Sequence, residues 1–172
     1  FTSPHLVKFN ERIRINNENI NDSEMLNCLE EVDKLKDSKE LNFYQIIAAA
    51  AFLFFSKKKL DVWILEVGLG GRLDPANYFD ADISVITKVA LDHENILGKG
   101  VENIGREKAG IFRSNQTVIF GEGFIPNSVL KIAKKLNVDL HKVDGKNMES
   151  AYFHKNSLGI SKKIFELQFP EI

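Results

Sequence analysis

Four short candidate strands, set apart by stretches of helical spacing, constrain this chain more than any other feature. They are Val62–Leu65, Ile83–Thr87, Thr117–Phe120 and Val138–Val143. The first three are mostly apolar with β-branched residues, and all four are too short for a core helix, so each reads as a strand. Val62–Leu65 is apolar at successive positions, as a strand buried on both faces would be. Between the later runs, Ile104–Phe112 and Pro126–Leu136 carry helical spacing, the second with a proline in its first turn. Strands that alternate with helices predict an α/β layered fold around a mostly parallel sheet. Upstream, Asn21-Asp22-Ser23-Glu24 reads as a helix start with Asp or Ser as cap, followed by Met25, Leu26, Leu29, Val32 and Leu35 at helical spacing. Phe43–Phe55 is almost wholly apolar and predicts a buried helix. Thr2-Ser3-Pro4-His5 reads as a loop and Arg12–Ile15 as a short extended piece. From about Gly145 the texture changes. Tyr152-Phe153, Ser157–Ile160 and Ile164–Phe169 read as antiparallel strands, making 145–172 a β extension of the same domain.

Composition narrows the function classes. The chain has 172 residues, 44% of them hydrophobic and 27% charged, with a formal net charge of −1. No global positive field invites nucleic acid or an anionic membrane. No stretch approaches the roughly 20 apolar residues of a membrane span; the longest run, Ile46–Phe55, ends in Ser56 and three lysines. The one cysteine, Cys28, excludes a disulfide framework and a cysteine-based zinc site, and fits a reducing cytoplasm.

Ligands of open parallel sheets gather beyond the carboxyl ends of the strands. Glu66 directly follows Val62–Leu65, and His93 follows Ile83–Thr87 by a short loop. Adjacent strands would bring the two together, where a carboxylate oxygen and an imidazole nitrogen can share a divalent cation. A capping or ion-paired Glu and a surface-loop His account for the same spacing. Gly68-Leu69-Gly70-Gly71 is neither a dinucleotide fingerprint nor a phosphate loop, since Leu73 stands where the third glycine belongs and no Gly-Lys-Ser/Thr occurs. Its glycines serve either close approach to a ligand or a tight turn. Lys108 sits in a helical context where a solvated amine is the ordinary state. Tyr44-Gln45 opens the buried helix, and Tyr44 is either core or a stacking platform for a planar ligand.

Taken in order, Thr2-Ser3-Pro4-His5-Leu6 with Glu11-Arg12-Ile13, then Ile64–Asp74, Ala90-Leu91-Asp92-His93 and Gly105–Phe112 resemble the dihydrofolate synthase/folylpolyglutamate synthase family of the Mur ligase superfamily. The likeness runs from Phe1 to about Gly123 and weakens beyond. It implies a three-layer, phosphate-loop NTPase-like central domain. It also implies a cytoplasmic, monomeric ligase dependent on ATP and magnesium, with potassium as a further cation, that joins L-glutamate to dihydropteroate or to a reduced folate through an acyl phosphate. By the same resemblance Glu66 and His93 are magnesium ligands and Ser3 lies near a second metal. Lys108 is a carbamylated lysine that organises the ion at the γ-phosphate. Asn42, Phe43, Tyr44 and Gln45, together with Leu73, Asp74 and Pro75, line the pterin site.

The chain departs from the family pattern in places. Asn42, Tyr44 and Gln45 replace the usual Thr, Phe and Glu, and Pro75 replaces a common Ala. The family's phosphate loop, its His-Gln-x-x-Asn stretch and its glutamate-binding domain fall outside Phe1–Ile172, so the expectation is an incomplete ATPase domain, inactive by itself. Two other readings are a degenerate folate- or nucleotide-binding remnant and another Mur-type ligase. Intact Glu66, His93 and Lys108 oppose the first, and the Ser-Pro-His and Gly-Gly-Arg-Leu-Asp stretches oppose the second.

Overall fold

A computed structural model describes residues 1–143 and 154–170. The chain forms two compact units. One comprises Phe1–Leu69 with Asp74–Tyr78; the other comprises Gly70–Leu73 and the chain from Phe79 onward.

In the first unit a small antiparallel hairpin pairs β1 (Arg14–Ile15) with β2 (Glu18–Asn19). Its turn residues Asn16 and Asn17 both have positive φ, as a two-residue turn matched to strand twist requires, and asparagine tolerates that region. Helix α1 (Asp22–Lys36) follows. Its cap is Asn21, not Asp22 or Ser23: the Asn21 side chain accepts from the Glu24 N–H at 2.8 Å. Met25, Cys28 and Val32 point inward, whereas Leu26 and Leu35 are exposed. Helix α2 (Phe43–Ser56) buries Ile47, Ala48, Ala50, Ala51, Phe54 and Phe55. Its small residues let α1 pack closely, and the two helices share one core with Ile13 and Ile20.

Val62–Leu65 is extended, but it joins no ladder of the described sheets. A single bridge links it to the chain start: the Phe1 amine donates to the Ile64 carbonyl at 2.8 Å and the Glu66 N–H to the Phe1 carbonyl at 3.0 Å. Trp63 and Leu65 pack on the first core, while Val62 and Ile64 are 63% and 79% exposed. The expected burial of both faces is thus met on one face only, because neighbouring backbone reaches this segment at one point.

The second unit carries the parallel sheet, in the order β3 (Ile83–Lys88), β4 (Thr117–Glu122), β5 (Asp139–Lys142). The register pairs Ile86 with Phe120 and Val118 with Leu140. Between β3 and β4 run the short α3 (Glu94–Leu97) and α4 (Val101–Ala109); α5 (Asn127–Lys135) links β4 to β5. Ile86, Val118 and Phe120 meet Ile104, Ala109 and Val129 of these helices in a second core. The opposite face of β4 receives α6 (Lys155–Gln168). Three layers result, helices on either side of a parallel sheet, as expected.

Helix α6 corrects the reading of Ser157–Ile160 and Ile164–Phe169 as strands. The positions withdrawn from solvent are Asn156, Leu158, Gly159, Ile160, Lys163, Ile164 and Leu167, and all but Leu158 follow one helical face. Gly159 and the serines around it mimic turn punctuation, but Gly159 and Ile160 are buried. Tyr152-Phe153 lies outside the described residues. Gly121 explains why the helix comes so close: a Cβ there would stand 2.6 Å from the Thr87 carbonyl oxygen and 2.8 Å from Ile160 Cδ1.

A carboxylate braces α4 against α5. Glu102 accepts from the Asn127 N–H at 3.0 Å and the Ser128 N–H at 2.6 Å, capping a helix that has no side-chain cap of its own. These bonds, the one from Ser128 foremost, hold its carboxyl pKa below the ordinary value.

Two outcomes follow. Gly121→Ala forces β3, β4 and α6 apart and is expected to cost about 1–3 kcal/mol, read from the urea midpoint. A depressed folded pKa means that the Glu102 brace is present above the ordinary carboxylate pKa and is lost as pH falls through the folded value. The stability difference between the wild-type chain and Glu102→Gln should therefore be largest near neutral pH. It should shrink on acidification below about pH 4 in urea titrations run at several pH values.

Candidate active site

Glu66 stands at the end of the extended segment, held there by its own first unit. One carboxylate oxygen, Oε2, accepts from the Thr2 hydroxyl and from the Ser3 N–H, the latter at 3.1 Å. The other, Oε1, has no hydrogen bond among the described residues. A carboxylate steered by one oxygen and open at the other fits the needs of a hard divalent cation. Thr2 is a positioning residue that the sequence reading passed over; its place beside Ser3-Pro4 was the only signal.

Tyr44 ties this carboxylate to the loop that follows. Its hydroxyl donates to the Glu66 carbonyl at 3.2 Å and lies 3.5 Å from Asp74 Oδ1. Burial, and then the Asp74 charge, push the phenol pKa above its ordinary value, so Tyr44 acts as a donor at any physiological pH. Gly68 packs against this ring, where a Cβ would stand 2.5 Å from Cζ. Asp74 accepts from the Gly68 N–H at 2.9 Å, the Leu69 N–H at 3.3 Å and the Ala76 N–H at 2.8 Å. Ser3, Tyr44, Glu66 and Asp74 are thus one connected set, with Pro75 half-buried beside it.

Asn42 and Gln45 have a job of their own. The Asn42 side chain accepts from the Gln45 N–H and the Gln45 side chain from the Asn42 N–H, both at 2.9 Å. This reciprocal capping box starts α2. Thr-x-x-Glu would make the same box, so these departures from the family pattern preserve the helix start. Phe43, between them, is exposed.

The remaining predicted residues belong to the second unit. His93 follows β3 in a left-handed conformation, φ 50°, with its Nε2 3.6 Å from Asp92 Oδ2 and its ring exposed. Leu73 is exposed. Lys108 is half-buried on the last turn of α4, with no ion pair or hydrogen bond for its amine among the described residues. The glycine loop fixes its surroundings. Gly71 faces the Glu107 and Lys108 carbonyl oxygens, 3.0 and 3.1 Å from where its Cβ would be. The Arg72 N–H donates to the Glu107 carbonyl at 2.9 Å, and Arg72 Nε pairs with the Glu107 carboxylate at 3.0 Å. The close approach that the glycines permit is to the end of α4. Glu66 and His93 lie in separate units, and their sharing of one ion is part of the proposal below.

No family model matches the chain. It is 42% identical over 144 residues to the dihydrofolate synthase/folylpolyglutamate synthase of Buchnera aphidicola from Acyrthosiphon pisum, a match covering 84% of this chain and 35% of that protein. The chain is homologous to the dihydrofolate synthase/folylpolyglutamate synthases. Among solved structures, E. coli FolC in complex with DHPP and ADP matches with TM-score 0.81 and 38% identity, over 84% of this chain and 36% of that one. The bifunctional synthase of Yersinia pestis with AMPPNP and Mn ion matches with TM-score 0.79 and 37% identity, over 86% and 37%. The chain spans about a third of the length of the curated relatives that it matches.

Asp74→Ala removes the acceptor for three backbone amides. The expected result is faster hydrogen exchange at Gly68, Leu69 and Ala76 while the β3–β4 amides stay protected, read by NMR or mass spectrometry.

Proposed function

We propose that this chain is the metal- and pterin-lining part of an ATP-dependent ligase that joins L-glutamate to dihydropteroate or to a reduced folate. The reading rests above all on the 42% identity to a dihydrofolate synthase/folylpolyglutamate synthase over 144 of the 172 residues, a stretch long enough that it must contain Glu66, His93 and Lys108. In this reaction a substrate carboxylate oxygen attacks the γ-phosphorus of ATP, the bond to the bridging oxygen breaks, and ADP leaves. The glutamate amine then attacks the carbonyl carbon of the acyl phosphate, expelling phosphate and losing a proton to solvent. Charge neutralisation and alignment dominate such a barrier.

In this reading Glu66 and His93 hold magnesium with Ser3 nearby, and the ion would offset phosphate charge. Thr2 and the Ser3 N–H fix the Glu66 rotamer through Oε2 and leave Oε1 for the ion. The Lys108 amine, in its neutral form, adds to carbon dioxide, releases a proton to solvent and serves as a carboxylate, its backbone fixed by Gly71 and Arg72. Tyr44, Asp74 and Pro75, with Phe43 and Leu73, line the pterin; Asn42 and Gln45 shape that wall by starting α2. The protein works in the cytoplasm as a monomer, which its one buried, free cysteine suits.

The test uses the full-length protein that contains this chain. ADP release should require dihydropteroate or a folate together with L-glutamate. Glu66→Gln and Lys108→Ala should each lower kcat by about a hundredfold or more, with Lys108→Glu recovering part of the loss. Carbon-13 NMR in labelled bicarbonate should show a carbamate signal that Lys108→Ala removes. ADP release indifferent to both acceptor substrates, or untouched by Glu66→Gln, would sink the reading.

A further inference from the structure

Arg12 is more than nine-tenths buried, with 9% relative exposure, yet it has no carboxylate partner among the described residues. Its Nε donates to His5 Nδ1 at 2.9 Å. The terminal nitrogens make no hydrogen bond among the described residues. The nearby acid, Glu11, is committed elsewhere: its oxygens accept from the Leu6, Val7 and Lys8 N–H groups at 2.8, 3.1 and 2.7 Å. Those bonds lower its pKa to about 2.

A guanidinium taken from water without an anion is unfavourable. Two features offset part of that cost. The Phe9 and Phe43 rings lie 5.6 and 5.7 Å from the guanidinium carbon, within the range of a cation–π contact. The terminal nitrogens also keep an opening to solvent, for the one sealed side-chain nitrogen or oxygen without a partner among the described residues is Ser128 Oγ. Phe43, one of the two rings against the guanidinium, is itself 61% exposed. A planar five-donor fork with its Nε fixed, two free ends and an exposed aromatic wall is built for a flat anion with an aromatic body.

The position is consistent with the proposed reaction. The Arg12 carbonyl accepts from the Thr2 N–H at 3.0 Å, and Thr2 orients Glu66. Phe43 is the first residue of α2, next to Tyr44.

We infer that Arg12 is a carboxylate-anchoring residue. Its free guanidinium nitrogens take a carboxylate of an arylcarboxylic acid while Phe43 covers the ring, and His5 positions the fork. The inference rests on the reading above for its substrate class, a pteroate acid, whose carboxylate is borne directly on an aromatic ring.

The test needs no ATP. Benzoate, benzamide, L-glutamate and inorganic phosphate are titrated separately into the full-length protein that contains this chain. NMR then follows the Arg12 Nε–H and the labelled Phe43 ring. Benzoate is expected to shift both signals, with benzamide, L-glutamate and phosphate at least about tenfold weaker, as loss of a charge-assisted pair or of the ring contact predicts. Arg12→Gln should weaken benzoate by about tenfold or more, and Arg12→Lys should recover only part. Phe43→Ala, at an exposed position that leaves the core intact, should also weaken benzoate and guards against misfolding of the Arg12 variants. Benzamide binding as well as benzoate overturns the inference, as does phosphate or glutamate binding as well, or unaltered benzoate affinity in Phe43→Ala. Arg12-dependent benzoate binding in a protein that never ligates glutamate would leave this site standing and remove the ligase reading.

Discussion

Most of the first unit's chemistry hangs on one carboxylate that closes a loop. The backbone leaves that unit after Leu69 and returns at Asp74. Asp74 then bonds the departing amides of Gly68 and Leu69 and the arriving amide of Ala76. Without it those amides would have to find water beside the half-buried Tyr44 ring. The loop also needs Gly68, because any side chain there would collide with that ring. Tyr44 in turn reaches the carbonyl of Glu66. The Glu66 carboxylate, an aromatic wall and a loop closure are therefore mechanically one device.

The second unit solves a parallel problem with backbone contact and an ion pair. Gly70 and Gly71 have positive φ, and Gly71 brings the chain against the carbonyls of Glu107 and Lys108. Arg72 then joins Glu107 through both main chain and side chain. The half-exposed ion pair contributes little stability by itself. Its value lies in fixing the last turn of α4, where Lys108 sits. The carbonyl contacts do this with no polar side chain bonded to the lysine amine among the described residues.

Legibility in the sequence followed the range of the interactions. Helix α2 was readable because its apolar run, its cap and its length all agree locally. The sheet strands Ile83–Thr87 and Thr117–Phe120 were readable for the same reason. Glu66 stood out by rule, as the first polar residue after an apolar run. Helix α6 was hidden because Gly159 serves packing against β4, and a packing glycine looks like a turn glycine until the neighbouring element is known. Asn21 was displaced as cap by Asp22 and Ser23 because all three types can cap, and one residue of phase decides. The roles of Asp74 and Lys108 follow only from the family resemblance, and the motif around Arg12 gives that residue no role. That it pairs with no acid among the described residues depends on where Glu11 sends its oxygens, which no spacing rule reports.

The Asn42–Gln45 box has an electrical consequence. Both residues are uncharged, and the first turn of α2 carries no acidic residue. A glutamate in place of Gln45 would make the same hydrogen bond and also cancel much of the roughly half-unit positive charge at a helix start. With an amide there, the 14-residue helix keeps that polarity undiminished by its own side chains. The exposed start of α2 is therefore a place of standing positive potential, independent of pH across the range in which a glutamate would titrate.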